Sequence, residues 1–157
     1  MRALILAAGR GKRMNFLTED KPKCLVMLKG RTLLDWQLKA IREAGIEKIA
    51  IVTGYKRELL QGYKINEFYN KRWATTNMIS SLACAKSWID EEPCVVSYSD
   101  IFFDRDAIID LMASRASIAI TYDPNWLRLW SKRFKNPLSD AETFSIDSKK
   151  RVTLCYT

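Results

Sequence analysis

Two short runs in this chain carry residue types suited to gripping phosphate: Gly9-Arg10-Gly11-Lys12-Arg13 and Lys21-Pro22-Lys23. In the first, the glycines let the backbone turn sharply and bring main-chain N–H groups up to phosphate oxygens, while Lys12 and Arg13 add positive charge. In the second, Pro22 restricts the backbone beside two lysines, which suits a lysine held at a fixed point. Solvated charges on an ordinary loop would explain either run alone; the two together are a rarer combination. The first run is not a Walker A loop, because no Gly-Lys-Ser/Thr follows at the required spacing. Nor is it a G-x-G-x-x-G fingerprint, because Met14 stands at the third glycine position. A third candidate is Asp100, which closes the apolar run ending in Tyr98-Ser99. A carboxylate there can hold Mg²⁺, a hard ion content with few protein oxygens plus water and phosphate. A turn or helix-capping aspartate is the plainer alternative. Asp104 and Asp106 read as helix N-terminal residues.

Composition narrows the chemistry. The 157 residues include no histidine, which removes Ser-His and Cys-His nucleophile pairs and imidazole general bases. Lys and Arg outnumber Asp and Glu by 26 to 18, and the net charge of +8 favours an anionic partner. The basic residues are scattered and form no recognition-helix or RNA-binding motif, so nucleic acid is not expected. Cys24, Cys84, Cys94 and Cys155 form no C-x-x-C pair and read as buried free thiols rather than a zinc site or disulfide framework.

The elements that must position these residues follow from hydrophobic periodicity. Strands are expected at Ala3 to Ala7, Lys48 to Thr53, Pro93 to Tyr98 and Ser117 to Tyr122, the first apolar enough to be buried on both faces. Helices are expected from Thr32 to Ala44, stopped by Gly45, from a Thr76 or Asn77 cap to about Ile89, and from Asp104 to Ser114. Thr143 to Ile146 and Arg151 to Cys155 read as a hairpin. Strand and helix alternate, so the expected fold is α/β: a Rossmann-like, doubly wound, mostly parallel sheet with helices on both faces, forming a single domain over 1–157. In such a fold ligands bind at the carboxyl ends of the strands, at the loop after Ala8, at Gly54-Tyr55 and at Asp100. No run approaches the roughly 20 apolar residues that span a bilayer. The N-terminus lacks a secretory cleavage site, so a cytoplasmic protein without a membrane partner is expected.

Leu6-Ala7-Ala8-Gly9-x-Gly11-x-Arg13-Met14 followed by Lys21-Pro22-Lys23 resembles the nucleotidyltransferases that make NDP-sugars and CDP-alcohols, over about the first hundred residues. The resemblance implies the nucleotide-diphospho-sugar transferase type of fold. It also implies roles: Leu6, Ala8, Gly9 and Gly11 hold base and phosphates, Arg13 contacts the triphosphate, Lys23 neutralises phosphate charge, and Asp100 binds Mg²⁺. Trp73-Ala74-Thr75-Thr76-Asn77 resembles the segment that lines the nucleotide site in bacterial choline-phosphate cytidylyltransferases, which points to Asn77. The segments around Trp126 and Trp130 and from Ser139 to Phe144 resemble the same subfamily. Aromatic rings suit a quaternary ammonium, which cannot donate hydrogen bonds and is recognised by cation–π contact. A packed helical face accounts equally for two tryptophans at i, i+4.

The expected reaction is transfer of CMP from CTP to phosphocholine, giving CDP-choline and pyrophosphate. Sugar 1-phosphates and aminoalkylphosphonates are the alternative acceptors, and a non-catalytic nucleotide-binding domain is the alternative to an enzyme. Expected partners are therefore small, CTP and a phosphorylated acceptor, with at most a homo-oligomer besides. Similar enzymes are longer and supply a second metal-binding Asp from their C-terminal part. The chain thus resembles a C-terminally truncated member that keeps the nucleotide half of the site, with impaired or absent turnover.

Overall fold

The computed structural model describes residues 1–139, 141, 143–149 and 151–156; the side chains of Lys12, Arg13, Leu154, Cys155 and Tyr156 lie outside that description. Two compact units are present, Met1–Ala119 and Ile120–Thr157.

In the first unit, β1 (Arg2–Ala7) starts the sheet, and a tiny antiparallel pair, β2 (Met27–Leu28) and β3 (Arg31–Thr32), leads into α1 (Leu33–Glu43). Then follow β4 (Ile49–Thr53), β5 (Asn66–Tyr69), α2 (Met78–Cys84), α3 (Lys86–Glu91), β6 (Cys94–Tyr98) and α4 (Arg105–Ala113). The sheet order is β5-β4-β1-β6 and every pairing in it is parallel. The chain winds outward from β1 to β4 and β5, then returns to place β6 on the other side of β1. That reversal opens a crevice between the carboxyl ends of β1 and β6.

Both faces of the sheet are covered, as a near-continuous apolar β1 requires. Ala3, Ile5 and Ala7 pack with Leu34, Leu38 and Ile41 of α1 and Ile108 of α4. On the opposite face Leu4, Ala50 and Val52 pack with Ala85, Leu82 and Trp88 of the α2–α3 segment. Helix α1 begins in a capping box: the Thr32 hydroxyl accepts from the Asp35 N–H at 3.0 Å and the Asp35 carboxylate accepts from the Thr32 N–H at 3.2 Å. It ends at Gly45, whose φ of +87° lets the Gly45 and Ile46 N–H groups reach back to Arg42 and Ile41 at 2.9 and 3.2 Å.

Three expectations need correction. The helix after Asn77 is not continuous to Ile89; it breaks at Ala85, which sits fully buried against the sheet with φ −104° and ψ 23°. Ser117 to Tyr122 forms no strand, and Ile118 is 86% exposed. A strand exists only through a neighbour's ladder, and among the described residues no segment pairs with the free edge of β6. Of the thiols, Cys24 is buried and pushed up to about 12 by that burial, but Cys84 is exposed.

The second unit contains α5 (Trp126–Trp130) and the expected hairpin, β7 (Thr143–Ile146) antiparallel to β8 (Val152–Tyr156). The Asp147 carboxylate organises its turn by accepting from the Lys149 and Arg151 N–H groups, both at 2.9 Å. Tyr122 and Phe144 meet edge to face, with ring centroids 5.7 Å apart. Among the described residues no helix is long and apolar enough to cross a membrane.

Candidate nucleotide site

The crevice holds a cleft of about 350 Å³ whose lining includes Leu6, Gly9, Gly11, Lys23, Asn77 and Asp100. Ala8 lines it as well, so seven of the residues singled out in the sequence meet in one place. A larger and more open groove of about 680 Å³ runs along α1 between Arg31 and Arg42. It lies away from the carboxyl ends of the strands, and two of its charges, Lys39 and Glu43, pair with each other.

The glycine loop has two distinct glycines. Gly11 adopts φ +71°, and a Cβ there would come within 3.0 to 3.3 Å of the Lys23 side chain. Gly9 faces open space, so the protein itself excludes nothing at that position. The loop is tied down from below by Thr18, almost fully buried, whose hydroxyl donates to the carbonyls of Gly11 and Asn15 at 3.1 and 3.3 Å. Arg13 lies in the turn from Lys12 to Thr18, with its side chain outside the described residues. The Arg10 guanidinium stands 5.9 Å from the centroid of the Tyr55 ring.

Lys23 rises from a short turn that Pro22 starts in extended backbone, and its ammonium forms an ion pair with the Asp100 carboxylate. Both side chains remain partly open to the cleft, 25% and 34% exposed. Among the described residues no cluster of three or more metal-ligating side chains exists. A Mg²⁺ ion here would take Asp100 and complete its shell with water and phosphate oxygens, the arrangement this ion favours at nucleotide sites.

Asn77 caps α2 by accepting from the Ser80 N–H at 3.1 Å, and its amide N–H₂ makes no hydrogen bond among the described residues. Its loop is held by Asn70, nearly fully buried, which donates to the hydroxyls of Thr76 and Ser81 at 2.9 and 3.0 Å. Trp126 and Trp130 lie one turn apart on α5 in the second unit, both half-buried, with the Arg133 guanidinium 5.7 Å from the Trp130 ring.

Trp73, which opens the segment quoted for Asn77, lines the cleft as well; what sequence reasoning missed is its close packing against Gly54. A Cβ at Gly54 would lie 2.5 Å from both the Ala8 carbonyl oxygen and the Trp73 Cβ. The Tyr55 N–H also donates to the Ala8 carbonyl at 2.9 Å, so the end of β4 closes directly onto the start of the glycine loop. Gly54→Ala is therefore expected to destabilise the protein by about 1–3 kcal/mol through forced backbone shifts. A lower urea midpoint with an unchanged slope would register this.

Known proteins share this frame. A CTP:phosphoglutamine cytidylyltransferase of Campylobacter jejuni is 39% identical over 93% of this chain and 62% of its own length. The solved CTP:phosphocholine cytidylyltransferase of Streptococcus pneumoniae superposes with a TM-score of 0.59 and 32% identity, covering 67% of this chain and 49% of that one. The inositol-1-phosphate CTP transferase of T. maritima shares the fold with a TM-score of 0.61 at 22% identity, over 74% of this chain and 49% of its own. The chain thus spans less than two thirds of the length of these relatives. From residue 3 to residue 150 the sequence matches the profile of the MobA-like NTP transferase domain, and the chain belongs to that family.

Proposed function

We propose that this chain binds CTP in the β1–β6 crevice and transfers CMP to a small phosphorylated acceptor, releasing pyrophosphate. The observation that carries the reading is the Lys23–Asp100 pair at the glycine loop, a positive and a negative group at the point where ligands enter this type of sheet. An acceptor phosphate oxygen attacks the α-phosphorus and the bond to the β-phosphate breaks. A phosphomonoester has a second pKa near 6 and is largely dianionic at neutral pH, so it needs no general base. A chain without histidine is compatible with that chemistry. What remains to be supplied is in-line positioning and neutralisation of charge. Lys23 and Arg13 take the phosphates, Asp100 holds Mg²⁺, and Leu6, Ala8, Gly9, Gly11 and Asn77 seat the nucleotide.

For the acceptor we propose phosphocholine, whose methylated ammonium is a group that aromatic rings recognise by cation–π contact; Trp126 and Trp130 are the candidate rings. The Streptococcus pneumoniae relative, a CTP:phosphocholine cytidylyltransferase, supports this choice. Phosphoglutamine is the second reading, favoured by the Campylobacter jejuni relative that matches across 93% of the chain. The test is a pyrophosphate-release panel crossing CTP, UTP, GTP and dTTP with phosphocholine, phosphoglutamine, 2-aminoethylphosphonate and glucose 1-phosphate. Release with CTP and one acceptor is the expected result. CTP binding by calorimetry with no release from any pair would reduce the chain to a nucleotide-binding domain, and absence of CTP binding would overturn the reading.

A further inference from the structure

We propose that Gln37 is a positioning residue for Asp100, acting through the backbone of the turn that carries it. The inference rests on the reading of Asp100 given above. Gln37 lies in the apolar stripe of α1, beside Leu34, Leu38 and Ile41, and is completely buried. An amide in such surroundings is costly unless its hydrogen bonds are made. Here the Nε2 group donates to the carbonyl of Tyr98 at 2.8 Å and to that of Ile101 at 2.7 Å. Those two carbonyls bracket Ser99 and Asp100, so one side chain staples the turn from inside the core.

The remaining fixings of the turn are few. The Ser97 hydroxyl donates to the Tyr98 carbonyl at 2.9 Å, the Ser99 N–H donates to the Leu6 carbonyl at 3.2 Å, and the Asp100 carboxylate meets Lys23. Burial beyond the turn is partial: Ile101 and Phe102 are 43% and 59% exposed, Phe102 meets Trp36 edge to face, and Phe103 packs against the core. Among the described residues the buried Oε1 atom of Gln37 has no partner, so the amide is kept at a cost that an apolar residue in the stripe would avoid. What an apolar residue cannot do is hold both carbonyls, and with them the placement of the carboxylate over the glycine loop.

The test compares Gln37→Met, which keeps side-chain length and removes both donors, with Gln37→Glu and with Leu38→Ala. The last is a core truncation in the same stripe that removes no hydrogen bond to the turn. Hydrogen–deuterium exchange over residues 97–104 is the metal-independent readout. At least a ten-fold gain in exchange there, in both Gln37 variants and not in Leu38→Ala, is expected. Mn²⁺ alone, titrated into the full chain by electron paramagnetic resonance, is the second readout. Gln37→Met should weaken Mn²⁺ binding about ten-fold, as loss of a group that orients a ligand typically does, while Leu38→Ala stays within two-fold of wild type. Exchange that rises equally in Leu38→Ala, or not at all in the Gln37 variants, overturns the proposal. Wild-type Mn²⁺ binding that is indifferent to Asp100→Asn would instead overturn the metal role of Asp100, with exchange still deciding whether Gln37 holds the turn.

Discussion

Asp100→Asn is expected to lower divalent-dependent pyrophosphate release from CTP by at least about a hundredfold, the scale on which a single electrostatic group in a reacting site acts. The change is isosteric, so the turn between Tyr98 and Ile101 keeps its shape and its hydrogen bonds to Gln37. Stability should barely move. The carboxylate has a single described partner, Lys23, and an ion pair this open to solvent contributes less than about 1 kcal/mol. Activity should fall because a neutral amide cannot carry the charge that brings a divalent cation to the phosphates. Initial rates against Mg²⁺ concentration, alongside a urea melt, separate the two effects. A rate equal to wild type would remove Asp100 from the mechanism.

Lys23→Met is expected to cost about a hundredfold in kcat/KM for CTP, close to 2.7 kcal/mol of transition-state stabilisation. Methionine preserves the apolar stem that passes within about 3 Å of where a Gly11 Cβ would lie, so the loop keeps its packing and loses only the charge. Lys23→Arg should recover little. The planar guanidinium is broader than an ammonium and does not reproduce a point charge at the end of a flexible stem. Isothermal titration with CTP and steady-state kinetics check both variants. Full activity in Lys23→Met would mean that the pair with Asp100 serves only the unliganded protein.

Much of the frame is legible in the sequence. The apolar runs mark three of the sheet's four strands, β1, β4 and β6, but not β5; Thr32 and Gly45 mark both ends of α1, and the helix between them appears where its stripe requires. The signals at the ends of α1 are local: a cap or a left-handed glycine acts within a few residues. The failures have the opposite character. Ser117 to Tyr122 has strand composition, yet a strand needs a neighbouring edge, and composition cannot supply one. The break at Ala85 comes from packing against the sheet rather than from any residue with low helix propensity. Gln37 did leave a trace, a polar residue in an apolar stripe, and that mismatch was the signal available for finding it.

The chemistry on offer is written in the residue types: a glycine loop, a lysine behind a proline, a carboxylate at a strand's end and no histidine. An apolar β1 and the alternation of strand with helix also point to a mostly parallel sheet covered on both faces, which the pairings of β1 bear out. Which of these groups meet follows from the order of the strands. Lys23 and Asp100 stand 77 positions apart, and they pair because β6 returns beside β1 after the chain has wound the other way. Gln37 reaches the Asp100 turn for the same reason, since α1 packs on the face beneath both strands. Contacts of this kind depend on the order of strands in the sheet, a long-range property that no local pattern encodes.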